Sequence, residues 1–186
     1  MAEATNTVVT GEVRLSYAYL FEPRKDDDGN PDKYGVTILI PKSDKATIKK
    51  IKDAIEAAKQ VGKGKTWGGK IPPNLKVTLH DGDTEKDLDE VPEFAGHYYM
   101  SCSSKERPGL VDRALNPITD RSDLYSGCYA RVAISAFPYS NSGNKGVTFF
   151  LNHVQKMRDG DHLDGRSKPE DVFSALDDAE DEGSLI

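Results

Sequence analysis

From Tyr129 to Phe137 the chain alternates with a period of two. Ala130, Val132, Ile134 and Ala136 take one parity; Tyr129, Arg131, Ala133, Ser135 and Phe137 take the other. Successive side chains of a strand point to opposite faces, so a purely apolar parity requires a strand with one buried face. Asp123–Phe137 is predicted to contain that strand. A turn over Asn141–Gly146 leads into a last strand, Val147 to about Lys156.

The first half supplies the partners. Val8–Phe21 reads as a strand with Val9, Val13, Leu15, Tyr17, Tyr19 and Phe21 on one parity and Arg14, Ser16 and Ala18 on the other. That parity puts at least one of Tyr17 and Tyr19 inside with Leu15. A polar loop with a turn at Asp28–Pro31 connects it to a second strand, Lys33–Pro41, and the two form a hairpin. Ser43-Asp44 caps a helix running to about Gln60, whose apolar face is Ile48, Ile51, Ile55 and Ala58. A Gly/Lys loop, Gly62–Lys70, follows. Leu75–Leu79 is a candidate short strand, Asp81–Glu93 an acidic irregular excursion with little core, and His97–Lys105 a further strand. Mainly antiparallel strands with one clear helix fit a small Greek-key β-barrel, of which the OB-fold is the commonest form.

Charge divides the chain in two. Residues 170–186 hold seven carboxylates and no base, and without them the chain balances 25 basic against 24 acidic side chains. The expected organisation is one barrel domain over residues 1–169 and an acidic, disordered tail over 170–186. A tail that only solubilised would not need to end in Leu185-Ile186. No apolar run reaches the roughly 20 residues of a membrane span. The polar, acidic start is no signal peptide, and Cys102 and Cys128 read as small residues in a reduced compartment.

Catalytic signatures are weak. Gly64-Lys65-Thr66 ends like a phosphate-binding loop, but Lys59 stands where the first glycine is needed, and the loop follows a helix. His80, His97, His153 and His162 are scattered, with no pair at metal-ligand spacing. Asp159 and Asp161 form only a fragment of a nuclease carboxylate cluster. No cofactor, metal or catalytic residue is expected.

The stronger pattern is cations interleaved with rings. Arg14 lies with Tyr17, Tyr19 and Phe21; Tyr98 and Tyr99 precede Lys105 and Arg107; Tyr129, Arg131, Phe137 and Tyr139 share the long strand. Lys145, Lys156 and Arg158 follow, and Lys63, Lys65, Trp67 and Lys70 sit in the Gly/Lys loop. Single-stranded nucleic acid is held by this chemistry, with cations along the phosphates and bases stacked on rings. Tyr129, Arg131 and Phe137 are the best outward set, because their opposite parity is purely apolar. Phosphates are assigned to Arg131, Lys105, Arg107, Lys156 and the Lys63–Lys70 loop; bases to Tyr129, Phe137, Tyr139 and Trp67, unless Trp67 plugs the barrel end.

The Gly127-Cys128-Tyr129-Ala130-Arg131 strand and the block Asn152-His153-Val154-Gln155-Lys156-Met157-Arg158-Asp159-Gly160 carry a resemblance. With Tyr19-Leu20-Phe21-Glu22-Pro23 and Lys105-Glu106-Arg107-Pro108-Gly109, they make residues 8–166 similar to the single-stranded DNA-binding proteins of tailed bacteriophages. The resemblance implies an OB-fold factor that coats single strands in replication or recombination, in the cytoplasm of the infected host. It further implies a tail that docks replication or recombination proteins through Asp177, Asp178, Glu180, Asp181, Glu182, Leu185 and Ile186; the charge of that tail adds the expectation that it is autoinhibitory, covering the basic groove until DNA displaces it. Bacterial counterparts end in Pro-Phe, and this chain departs from them in its Leu-Ile end. A monomer or dimer fits, as does weaker duplex binding. The alternatives are a protein-interaction or virion β-domain and a metal-dependent nuclease.

Overall fold

The computed structural model describes residues 6–163, 165 and 169–176. The strands are β1 (Thr7–Val9), β2 (Val13–Tyr19), β3 (Tyr34–Pro41), β4 (His80–Asp81), β5 (His97–Ser104), β6 (Gly109–Val111), β7 (Tyr129–Asn141) and β8 (Asn144–Arg158). The helices are α1 (Lys45–Lys65) and the short α2 (Gly82–Glu85) and α3 (Pro169–Val172), with a 3-10 turn at Pro92–Phe94. Asp177–Ile186, where the tail-docking residues fall, lies outside the described residues.

Alternation dictates the barrel. Ala130, Val132, Ile134 and Ala136 on β7 are all buried, as are Phe149, Leu151 and Val154 on β8. The β7–β8 register runs from Tyr129↔Arg158 to Asn141↔Asn144. The turn is only Ser142-Gly143, with φ of 49° and 84°, tighter than the six residues expected. Two central residues at positive φ are what a right-twisted hairpin requires. β2 pairs with β3 and β3 with β5, both antiparallel; β5 meets β8 in a parallel seam at Cys102↔Phe149. β7 closes the ring, with β1 and β2 following one another along its free edge. This closed Greek-key barrel is the expected OB-fold.

α1 packs Ile48, Ile51, Ala54 and Ala58 against the barrel. Its cap is shared with the β1–β2 link. Asp44 accepts from the Thr47 amide and hydroxyl, and the Thr47 hydroxyl accepts from the Gly11 amide at 2.9 Å. The helix does not stop at Gln60 but continues to Lys65, so half of the expected Gly/Lys loop is helical. Gly62 permits this by lying flat against β7. A Cβ there would stand 2.7 Å from Pro138 and 2.8 Å from the Trp67 ring.

Two other expectations change. Leu75–Leu79 forms no strand; it meets the sheet through the Lys76↔Gly146 bridge and the Thr78 hydroxyl, which donates to the Val147 carbonyl at 2.6 Å, and β4 lies just after it. The acidic excursion is pinned to the barrel: Lys42 reaches Asp81 at 2.7 Å and Asp83 at 2.6 Å. Those bonds hold both carboxyls below, and the Lys42 ammonium above, their ordinary values. Just after the excursion Phe94 is fully buried, edge-on to Tyr99. Cys102 and Cys128 are free and buried, and burial pushes the Cys102 thiol up to about 12.

The helix end gives a paired prediction. Gly62→Ala overpacks the Trp67–Pro138 contact, and its cost of about 1–3 kcal/mol outweighs a helix-propensity gain of up to about 1 kcal/mol. Gly64 faces open space, with nothing within 4 Å of an added Cβ. Gly64→Ala therefore stabilises. Urea denaturation midpoints of the two variants should move in opposite directions.

Candidate nucleic-acid interface

The outer face of β2, β3 and β5 is built from short side chains. Val36, Ile38 and Ile40 turn inward with Met100 and Cys102. This leaves Gly35 and Thr37 beside Ser103 and Ser101 on the outside. The strip lies in a cleft of about 300 Å³ that Tyr17 and Tyr19 wall on one side. The same two tyrosines border a larger cleft of about 960 Å³, which also reaches Phe21, Arg121 and Tyr125.

Both tyrosines point outward, against the expectation that at least one is internal. Tyr17 is 54 % exposed and Tyr19 44 %. The cause is a bulge: Ser16 pairs with Thr37 and Tyr19 with Gly35, so three steps of β2 match two of β3. Tyr17 absorbs the extra residue at φ 47°, and the Ser126 hydroxyl accepts from the Ala18 amide at 2.9 Å beside it. A bulky residue in the left-handed region costs on the order of 1–3 kcal/mol. Bulges characteristically re-aim side chains in this way.

Charges of both signs ring this face, with Glu22, Glu90 and Glu93 lining the larger cleft and Asp32 the smaller one. Lys33 and Lys105 are exposed. Arg107 stands 5.7 Å over the Phe21 ring, Arg24 pairs with Asp32, and Arg121 pairs with Glu22. Of the expected binding residues none lines either cleft; Arg107 comes nearest, through its contact with Phe21 of the larger one, and Lys105 follows the end of β5 at Ser104.

The others fall in separate places. Tyr129 is clamped between two guanidinium groups, Arg158 at 3.7 Å and Arg14 at 5.5 Å from its ring centre. Arg158 pairs with Glu12, while Arg14 donates to the carbonyls of Gly127 and Asp161. Lys156 pairs with Asp159 at 2.7 Å and lies over Tyr125, whose hydroxyl also donates to Asp159. Arg14, Tyr129, Lys156 and Arg158 thus tie the chain after β8 to the barrel end. Arg131 is exposed on the β7–β8 face, donating to the Thr10 carbonyl. Phe137 is exposed there too, 5.3 Å from Phe150. Lys63, Lys65, Lys70 and Lys145 are exposed, and Tyr139 is half-buried. Trp67 is the plug rather than a stacking platform: it is 8 % exposed, and its Nε1 donates to the Tyr139 carbonyl. Tyr99 is also covered, stacked on His80 at 5.0 Å with Lys86 over it.

Among the described residues no group of three or more His, Cys, Asp or Glu side chains is placed to hold a metal ion. No described helix is long and apolar enough to cross a membrane.

Residues 6–184 match the family model of the single-stranded DNA-binding protein of Enterobacter phage Enc34. The chain belongs to the Enc34-type family of phage single-stranded DNA-binding proteins. These are binding proteins, not enzymes. Protein p50 of Acyrthosiphon pisum secondary endosymbiont phage 1 is 36% identical over 163 residues, covering 82% of this chain and 84% of p50. The Enc34 protein solved in complex with single-stranded DNA is 27% identical, with a TM-score of 0.70 over 85% of this chain and 89% of that one. The fold is shared by gp2.5 of bacteriophage T7, at 18% identity and a TM-score of 0.56 over 89% of this chain and 99% of that one.

Within this Enc34-type barrel the Asp159 tie has a pH signature. Lys156 and the Tyr125 hydroxyl hold the Asp159 carboxyl below its ordinary value. A depressed folded-state value adds stability above the unfolded value of about 3.9, lost as pH falls through the folded one. Asp159→Asn should be less stable than the parent at neutral pH. Thermal melts should show the gap closing below about pH 4.

Proposed function

We propose that this chain binds single-stranded DNA across the β2–β3–β5 face, with little sequence preference. The observation that carries the reading is the pair Tyr17 and Tyr19, turned outward by a strained bulge beside a floor of Gly35, Thr37, Ser101 and Ser103. Small side chains let a strand approach the sheet, and the two rings offer π-faces to its bases. Lys33, Lys105 and Arg107 then lie along the phosphates. A duplex buries its base faces, so it can use only the cations and binds more weakly. The relative solved with single-stranded DNA supports the same ligand class.

On this reading the chain coats and protects single strands during phage replication or recombination inside the infected bacterium. Its acidic end docks other replication or recombination proteins. Arg131 and Phe137, with Lys145 and the lysines at the end of α1, form a second exposed surface that a longer strand can reach.

Fluorescence anisotropy with a labelled oligo-dT tests the placement. Tyr17→Ala and Tyr19→Ala should each weaken binding by about 1–3 kcal/mol, roughly 5- to 150-fold. Phe137→Ala and Tyr129→Ala should bind nearly as the parent does. If Phe137→Ala carries the loss instead, the strand runs over β7 and β8. No binding by the parent discards the DNA reading altogether.

Salt dependence provides a second check. The logarithm of affinity should fall with the logarithm of salt at about 0.7 per phosphate contact. The double variant Lys33→Ala, Lys105→Ala should flatten that slope by about 1.4. An unchanged slope would remove both lysines from the phosphate path.

A further inference from the structure

Two aliphatic side chains are more exposed than any other large apolar residue between Asn6 and Leu163: Leu115 at 69% and Val77 at 65%. Leu115 stands at the tip of the loop after β6, at φ 67°. A bulky side chain in the left-handed region is strained, and such strain persists only where the surrounding structure fixes it. Here the loop does so. The Asp112 carboxylate accepts from the amides of Ala114 and Asn116, both at 2.9 Å, and from the Asn116 side chain at 3.2 Å. The Asp112 amide donates to the Asn116 carbonyl, and Arg113 reaches back to the Met157 carbonyl of β8 at 3.4 Å. A rigid, strained loop thus holds Ala114, Leu115 and Pro117 in solvent, where none of them belongs to the core.

Val77 lies in a groove of about 640 Å³ between α1 and residues 75–79. The floor is aliphatic, with Ile55, Leu75 and Leu79 packed against the core, and Lys52 and Lys76 are exposed on the rim. Loop and groove stand at opposite ends of β8. Val147 lines the groove, while the Gln155 side chain donates to the Asp112 carbonyl at 3.4 Å. From Val147 to Gln155 is about 26 Å of strand, so a chain's loop cannot enter its own groove. Charge matches as well as shape. The segment from Asp112 to Asp123 holds three aspartates against Arg113 and Arg121, and Arg121 is already paired with Glu22.

We propose that the Leu115 loop of one copy seats in the α1 groove of a second copy. Leu115, with Ala114 and Pro117 beside it, covers Val77 and the aliphatic floor, and the rim lysines face the aspartates of the incoming segment. A surface at one end of β8 that fits a surface at the other end makes a head-to-tail contact, and its repetition gives an open row of copies. One loop in one groove is a small contact, too small to hold copies together unaided. It acts when a single strand gathers them and raises their local concentration. In that respect alone the proposal rests on the single-strand reading. The contact lies away from Tyr17 and Tyr19, so a bound strand leaves it free.

Cross-linking tests the contact. Chains carrying Leu115→Cys and chains carrying Val77→Cys are mixed on a long oligo-dT with a short bis-maleimide; the native Cys102 and Cys128 are buried. Mass spectrometry should find links between position 115 of one chain and position 77 of another, with links between like positions minor. The same links should form without DNA at high protein concentration, so failure of the contact is distinguishable from failure of the single-strand reading. Leu115→Asn supplies a second readout, because asparagine tolerates the left-handed backbone. Its thermal melt should be no lower than the parent's, and it should bind an oligo-dT with room for one copy as the parent does. On an oligo-dT with room for several copies its affinity should fall by roughly ten-fold or more, as expected for one leucine no longer taken out of water. Links chiefly between like positions, or none, would overturn the proposal. So would a Leu115→Asn chain that fills the long oligo-dT as the parent does.

Discussion

Closure of the ring is the constraint from which the rest follows. Five strands enclose one core only if β8 is long enough to pair with β7 along one edge and meet β5 and β6 along the other. The two-residue turn at Ser142-Gly143 fixes that register. A slip of one residue would turn every side chain of β8 to the opposite face. Phe149, Leu151 and Val154 would then leave the core for solvent, at about 1.5–3 kcal/mol for each buried side chain. Closure also leaves a cleft on the outer face of β2, β3 and β5, walled by Tyr17 and Tyr19.

The shape of that face depends on a break in the alternation of β2. A regular strand would turn Tyr17 inward after Val13 and Leu15, both fully buried in the core. The bulge lies after Ser16, which keeps its place opposite Thr37 on the outer face, and it turns both tyrosines out; the Ser126 hydroxyl steadies the irregular backbone. Closing the barrel and displaying two rings on one strand are met by the same extra residue. The left-handed strain at Tyr17 persists because pairing on either side of the bulge fixes it.

Much of the fold was legible from alternation and capping. The inward set of β7 and the Asp44 cap stand where the pattern puts them, and the barrel class follows. What failed depended on contacts between distant segments. The helix runs past Gln60 because Gly62 meets Trp67 and Pro138, and no local propensity encodes that meeting. The site was harder to read for a related reason. A cation beside a ring is the signature of a base-stacking surface and equally of a self-satisfied clamp. Arg14, Tyr129 and Arg158 proved to be the clamp. Tyr17 and Tyr19 were misassigned because parity assumes a regular strand, and a bulge leaves no fixed mark in sequence.

The clamp and the groove divide the chain's positive charge into two uses. At the barrel end, Arg14, Lys156 and Arg158 are spent on carbonyls, carboxylates and rings, so they add little to the field seen by a polyanion. Lys33 stands exposed in the cleft that the tyrosines wall, where opposite charge on a ligand is rewarded. A net charge of -6 is therefore no obstacle to holding DNA, since local arrangement and not the total governs the approach. The same reasoning explains why the lysines of α1 need a counterpart of their own. A helix with a large cationic surplus repels itself unless acids lie near it, and its own acids within the turns, Asp53 and Glu56, balance only Lys49 and Lys59. The remaining surplus, with Lys52 and Lys76 exposed, is an electrostatic attractor built into the fold.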